Sequence, residues 1–511
     1  MRRLLLTVAL LSCSVVAAGG CGNEGSSSSG AASVAPAGSL VYGEATLRPE
    51  GDQKAAVEAL VNKFPGEGSA GDRIQGLMET LFTEADTSLA YREDVEPWLG
   101  DEAAFFVSNL RPGGEDADAA LLVATEDEDA SMTAVQKAAS DERKAEHSGH
   151  DVYLYDDGEE AAAAVDGWLA LGTPGAVEAA IDTAEGDDPI EDDDRFKETL
   201  EDAPEDRLGF VYVDMPGFYE RLRGMPGAAQ LGPFRQIFED PIIVTADAEE
   251  SGVRFEATIP TKLTQGFPIV SEGTGEAGDL PADSWLALAQ PDLGGTIEGY
   301  VDLAAGALGG RDVIEEQLRS ATGLELEEDV ISWMGDWSAF VRGTSVDSLD
   351  GAVMIETNDE AASGRFIDAI ARLVRQDAPP GTTTGPLDLA GGGEGYTVRG
   401  PELPQPVHLF QRDGRVVAAY GDAAANDALD PDETLAGSAD YTQAEDALGG
   451  DYAVSFFLAF EPILELADSE GASADPDYQE AKPYLEPLGA LVGGATEDGD
   501  DLRSAFALTV K

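Results

Sequence analysis

Cysteine and histidine are almost missing from this chain of 511 residues, which has two of the first and three of the second. Two thiols are too few for a disulfide framework or a zinc–thiolate cluster. Basic residues are scarce too: 31 lysines and arginines stand against 100 acids, a formal net charge of −69. A nucleic-acid binder needs a basic surface to release counterions from phosphates, so that class is excluded. The same balance argues against peripheral binding to anionic lipid through basic residues. Beyond the N-terminus the sequence holds no run of 18 or more apolar residues, so no membrane-spanning helix is expected. It also lacks a Gly-x-Ser-x-Gly elbow, a His-Glu-x-x-His pair and a Gly-Lys-Ser/Thr phosphate loop. What it has is 43% hydrophobic residues, enough to fill the cores of two or three domains.

The first twenty residues are of a different kind. Arg2 and Arg3 precede an apolar run from Leu4 to Ala18, the length of a signal-peptide core. It ends in Ala18-Gly19-Gly20-Cys21, which resembles the lipobox of bacterial lipoproteins, with Ala18 where Leu is commonest. Small side chains suit cleavage, and a thiol at the membrane surface can carry a diacylglycerol thioether. The expectation is a signal peptide over 1–20, a lipidated Cys21, and a Gly/Ser-rich tether over 21–35. The alternative is an ordinary signal peptide with Cys21 incidental. Under the lipoprotein reading Cys13 leaves with the signal and Cys21 is consumed. The mature body then holds no thiol, and acyl chains worth ~0.8 kcal/mol per buried methylene form its anchor.

The rest of the chain matches itself. Pro36 to Ala45 pairs with Pro281 to Gln290, Glu93 to Asp101 with Glu328 to Asp336, and Asp118 to Thr125 with Asp350 to Thr357. Asp194-Arg-Phe-Lys resembles Ala439-Asp-Tyr-Thr, each followed by an aromatic-rich strand around Phe210 or Phe456. The order is kept and the offset stays at about 240 residues, the mark of an internal duplication. The expected organisation is one domain over 36–262, a Gly/Pro-rich linker over 263–280, and a second domain over 281–511.

Within each half, strands and helices are read from periodicity. Strands are expected over 39–47, 103–110, 119–125, 152–155, 165–171, 208–213 and 255–259, and helices over 52–64, 130–139, 174–184 and 360–375. Strand pairs joined by short turns argue for antiparallel sheet, so the fold class is α+β, with helices packed on one side of each sheet. A doubly wound parallel sheet is the alternative. The segments Arg48-Pro-Glu-Gly-Asp-Gln-Lys54 and Glu93-Asp-Val-Glu-Pro-Trp-Leu-Gly-Asp101 resemble a bacterial family known as domain of unknown function 3352. That resemblance spans nearly the whole mature chain and implies an extracytoplasmic, often lipid-anchored protein, with no assigned activity.

Few residues invite chemistry. The repeated Asp-Val-x-x-Trp-x-Gly-Asp places Trp98 and Asp101 in one half and Trp333 and Asp336 in the other. These are candidate ligand-binding residues, an aromatic and a carboxylate gripping a polar molecule. Against that stands a structural role: a short helix ending at a left-handed Gly, with Trp packed beneath the turn. His147 and His150 lack a third ligand at motif spacing, so no metal site is expected there, and His408 reads as a packed or surface histidine. The acidic runs 126–129, 191–194 and 497–501 fit no calcium-loop pattern and read as solvated surface. No cofactor is expected.

The expectation is therefore a non-catalytic binding or structural protein, exported and lipid-anchored to the cell membrane, facing the extracytoplasmic side. Its partners would be the membrane, through the lipid, and a lipid or envelope protein. A carrier holding a lipid or other amphiphile in an apolar cavity is the rival. An envelope-polymer hydrolase ranks third.

Overall fold

The structure is a computed structural model, and it describes residues 30–84, 89–110, 117–138, 143–201, 203–204, 207–223, 238–260, 277–308, 310–389, 391–449, 452–498 and 501–511. The expected signal peptide, Cys21 and most of the expected tether and linker lie outside the described residues. The chain divides into two compact units, Met1–Ile259 and Pro260–Lys511.

The first unit is built on ten strands: β1 (Val41–Thr46), β2 (Leu99–Leu110), β3 (Ala117–Thr125), β4 (Arg143–His147), β5 (His150–Tyr155), β6 (Glu160–Val165), β7 (Trp168–Gly172), β8 (Gly209–Val213), β9 (Ile242–Glu249) and β10 (Gly252–Pro260). They pair in the order β10–β9–β8–β1–β2–β3–β7–β6–β5–β4, antiparallel throughout. The second unit has β11 (Ser284–Gln290), β12 (Met334–Arg342), β13 (Asp350–Thr357), β14 (Thr383–Pro386), β15 (Glu394–Arg399), β16 (Val407–Arg412), β17 (Arg415–Tyr420), β18 (Ala453–Ala459), β19 (Leu488–Asp498) and β20 (Asp501–Val510). Their order is β20–β19–β18–β11–β12–β13–β17–β16–β15–β14, again antiparallel. Adding ten to each strand of the first sheet reproduces the second.

Most helices fill matching places in the two units, and the second has one more among the described residues. In the first they are α1 (Gly51–Val61), α2 (Ala70–Glu84), α3 (Glu128–Ala138), α4 (Pro174–Ala184), α5 (Asp194–Glu201) and α6 (Met215–Arg223). In the second they are α7 (Leu293–Leu308), α8 (Arg311–Thr322), α9 (Glu360–Asp377), α10 (Asp422–Asp427), α11 (Ala439–Leu448), α12 (Phe460–Ser469) and α13 (Pro476–Leu485). Local sequence sets several of these ends. Pro174 opens α4, where its missing N–H costs nothing. The Asp359 carboxylate caps α9 by accepting the Ala361 and Ala362 N–H groups at 2.9 and 3.0 Å.

The α+β class and the antiparallel sheet are as expected, but the helices do not keep to one side. On β3, Ala120 and Leu122 pack with Ala176, Ile181 and Phe196 of α4 and α5. The alternate residues Leu121 and Val123 pack with Ile74 and Met78 of α2 and Val135 of α3. Successive strand residues face opposite sides, so both faces of the sheet are covered. The second unit repeats this: Val417 joins the core of α10 and α11, and Val416 the core of α9. Runs such as Ala161-Ala-Ala-Ala-Val165 and Trp168-Leu-Ala-Leu-Gly172, buried at nearly every residue, are the physical signature of a strand buried on both faces.

Three further expectations are corrected. The strand read over 165–171 is two strands joined by Asp166-Gly167, both at positive φ (47° and 81°), a two-residue hairpin turn. Residues 30–35 are not tether: Ala31, Val34 and Ala35 are buried in the first core. Likewise Ala277 and Leu280 sit in the second core, although they fall in the expected linker. In both units this lead-in is pinned in the same way. Ala35 O accepts the Ile190 N–H, and Leu280 O the Leu435 N–H, each at 2.8 Å.

Candidate functional site

The repeated Asp-Val-x-x-Trp segment forms the same structure twice. A π-helical turn spans Tyr91–Val95 in one unit and Leu326–Ile331 in the other. The Asp94 carboxylate accepts the Ala90 N–H at 2.8 Å, and the Asp329 carboxylate accepts the Glu325 N–H at 2.9 Å. Each aspartate backbone carbonyl then accepts the indole N–H four residues on, from Trp98 at 2.6 Å and from Trp333 at 2.9 Å. Each carboxylate also meets a cation from the helix after the third strand of its unit. Lys137 of α3 approaches Asp94 at 2.6 Å, and Arg365 of α9 approaches Asp329 at 2.6 Å.

These contacts set the charge state. The Lys137 ammonium and the Ala90 N–H hold the Asp94 carboxyl below the ordinary aspartate range. At Asp329, burial works upward, yet the Glu325 N–H and the Arg365 guanidinium outweigh it, so this carboxyl also ends below the ordinary value. Trp98 is 6% exposed and Trp333 is fully buried. Their indole faces belong to the cores beneath the turns, Trp333 lying 5.5 Å from the Phe366 ring.

The glycine that follows has a different role from the one expected. Gly100 and Gly335 do not sit in the left-handed region. They lie on β2 and β12, where the neighbouring strand comes close. A Cβ on Gly100 would stand 2.7 Å from the Ala124 Cβ, and one on Gly335 would stand 3.3 Å from the Glu356 carbonyl. The two final aspartates part company with their tryptophans. Asp101 is exposed and faces Arg48 at 3.6 Å, while Asp336 accepts the Asp292 N–H at 3.1 Å. The four nominated residues are thus two buried indoles and two carboxylates engaged elsewhere.

His147 and His150 face each other across the β4–β5 hairpin, and each meets its own carboxylate, one on α4 and one just beyond its end. His147 Nε2 lies 2.7 Å from Asp182, and His150 Nε2 lies 2.9 Å from Glu185. His408 is fully buried. Its Nδ1 lies 3.1 Å from Thr397 Oγ1 and its Nε2 lies 2.8 Å from Asp422. The Asp422 carboxylate only accepts, so Nε2 donates to it, while Thr397 also accepts the Asp388 N–H at 2.9 Å. The acidic runs are used in turns. Asp127 caps α3 through the Ala130 N–H at 3.0 Å, and Asp193 accepts the Arg195 N–H at 2.9 Å ahead of α5.

Two features carry no sequence signal. Arg342, at the end of β12, holds Asp350 through two nitrogens at 2.6 and 3.2 Å, and reaches Asp283 at 3.0 Å and Asp427 at 2.8 Å. The second is a pocket of about 110 Å³ in the second unit. Asp279, Asp336, Glu356, Asp427 and Arg415 line it, together with apolar groups that include Trp337 and Leu280. Register sets one wall, since Arg415 lies opposite Glu356 across β17 and β13, and α10 brings Asp427 to it.

No curated protein matches the chain. Two solved structures, described as crystal forms I and IV of TP0453, share 8% and 9% identity with it, at TM-scores of 0.25 and 0.24. Each comparison covers 46% of this chain and 79% or 82% of the other. Likeness that slight carries no argument about fold or role. The profile of a protein family of unknown function, DUF3352, matches residues 4–389, which take in the first unit and the second as far as β14, and with them both Asp–Trp turns. The chain belongs to the DUF3352 family.

Proposed function

We propose that this chain is a lipid-anchored, extracytoplasmic protein of a bacterial envelope that binds or scaffolds rather than catalyses, and that its two units arose by internal duplication. One observation carries the reading: the Asp–Trp turn is made twice with equivalent partners, and both times its indole is sealed inside the fold. A motif used in this way maintains architecture. The shared strand order and the matching lead-in contacts support duplication of a whole unit. The anchor rests on the apolar run before Cys21. The test is intact-mass spectrometry of the full chain recovered from bacterial membranes. A chain starting at Cys21 with a diacylglyceryl mass, lost in Cys21→Ala together with membrane attachment, is expected. An unlipidated chain cut elsewhere overturns the anchor.

A carrier is the second reading, and one observation favours it. In the second unit the directly opposed residues Val353, Ala339, Leu288, Phe456, Gly493 and Phe506 run in one row across the sheet. Both ends of that apolar row are open to solvent, Val353 at 39% and Phe506 at 44%. An amphiphile on this face would appear as a reproducible extra mass in native mass spectra.

A further inference from the structure

We propose that the pocket in the second unit is a binding site for a small organic cation, an ammonium group of about choline size. The site extends the binding reading above and does not depend on the lipid anchor.

The first argument compares the two units. Across β7 and β3 of the first unit, Trp168 lies opposite Ala124. At the matching place in the second, Arg415 lies opposite Glu356. Trp168 is fully buried and fills its position. In the second unit the indole is gone, and a pocket of about 110 Å³ stands beside the Arg415–Glu356 pair. The fold can therefore close this place with an aromatic ring. An open pocket here is a property of these side chains and not a packing necessity.

The second argument is the chemistry of the walls. Four acidic residues, Asp279, Asp336, Glu356 and Asp427, and one basic residue, Arg415, line the pocket. Glu356 is 3.7 Å from Arg415, and Asp427 is bound at 2.8 Å by Arg342. Asp336 receives the Asp292 N–H, and Asp279 stands at the exposed rim. With four acidic residues to one basic, the lining disfavours an anion and favours a cation. Among the described residues, no three His, Asp or Glu side chains converge as metal ligands. A bare metal ion also needs a tight oxygen shell. Trp337, Leu280, Met354 and Leu429 supply the apolar contact that an alkylated ammonium uses and a hydrated metal ion does not. At about 110 Å³ the pocket exceeds the ~10–15 Å³ that one water needs, so it has room for a group larger than water.

The experiment is isothermal titration calorimetry of the full chain in detergent with choline chloride, against sodium chloride and magnesium chloride at equal ionic strength. A saturable choline heat at one site per chain is expected, absent with sodium and magnesium. Arg415→Trp combined with Glu356→Ala rebuilds the residue pair of the first unit and fills the pocket. It should weaken choline at least tenfold without lowering the melting temperature. Asp279→Asn, at the exposed rim, perturbs folding least and should weaken choline several-fold. The proposal is overturned if choline gives no heat beyond the sodium control, if magnesium competes as a general counterion, or if Asp279→Asn binds as the parent does.

Discussion

Asp329 accepts the Glu325 N–H at 2.9 Å and the Arg365 guanidinium at 2.6 Å, while its carbonyl receives the Trp333 indole. Removing the carboxylate strands a donor at the turn, and Asp329→Ala should cost about 1–2 kcal/mol in urea unfolding. Arg365 is half exposed, so a double-mutant cycle with Arg365→Ala should return at most ~1 kcal/mol for the ion pair itself. Trp333→Ala empties a fully buried site and should cost about 3–5 kcal/mol. The pH dependence has a definite sign. Asp94 and Asp329 both titrate below the ordinary aspartate value near ~3.9, so their contribution is complete above that pH. It is lost as pH falls through their lower folded values. The stability gap between the parent and Asp329→Asn should therefore be constant from pH 7 to about 5 and shrink below about 4. A gap that stays unchanged down to pH 2 would show that the charge of Asp329 contributes nothing.

Turns and pairings decide what the elements become. Asp166-Gly167 joins β6 to β7 and Asp413-Gly414 joins β16 to β17, the same connection in each unit, with all four residues at positive φ. Gly414→Val puts a branched side chain in the left-handed region and should cost about 1–2 kcal/mol, while Asp413→Asn should be close to neutral, because Asn accepts that conformation. Urea midpoints of the two variants check this, and equal midpoints would sink the turn argument. The strand order that the two units share had a sign in the sequence, because segments such as Glu93–Asp101 and Glu328–Asp336 recur in order. The Asp-Gly signal was equally present, yet the apolar run around 165–171 hid it and two strands read as one. Helices on both faces were harder to see, since a doubly buried strand has no alternation to read. Lead-in residues such as Ala31 and Ala277 passed for spacer because small residues look alike in a tether and in a core. The Arg342 cluster and the Arg415 pocket were invisible for another reason. Each joins side chains from several elements, Asp427 of α10 among them, that only the finished fold brings together, and the first unit offers no guide. There Asp118 accepts from Asn109 and from Thr173, each at 3.4 Å, and the place of Arg415 is held by Trp168.

The whole molecule carries a charge of −69, far beyond the magnitude of ~2–8 that suits a small soluble domain. Local pairs absorb part of the 31 basic residues, as at Arg311, whose guanidinium reaches Glu298, Asp302, Glu315 and Glu327 within 3.5 Å. The acids left over repel one another in the folded state more than in an expanded chain. Salt shortens the reach of that repulsion, from about 10 Å at 0.1 M to about 3 Å at 1 M. The surface ion pairs are weakened by the same screening, but each is worth ~1 kcal/mol or less. Repulsion summed over a surplus of 69 acids outweighs them. The melting temperature should therefore rise by several degrees between 0.05 and 1 M sodium chloride, and equally in potassium chloride, as scanning calorimetry would read it. Near pH 4 to 4.5 many surface carboxylates are partly neutralised, so the salt effect should diminish there while Asp94 and Asp329 stay ionised. The two effects thus separate on the pH axis: loss of repulsion comes first as pH falls, and loss of the two turn carboxylates follows. A melting temperature that falls with salt at pH 7 would mean that the ion pairs, and not the excess acids, govern the electrostatics of this fold.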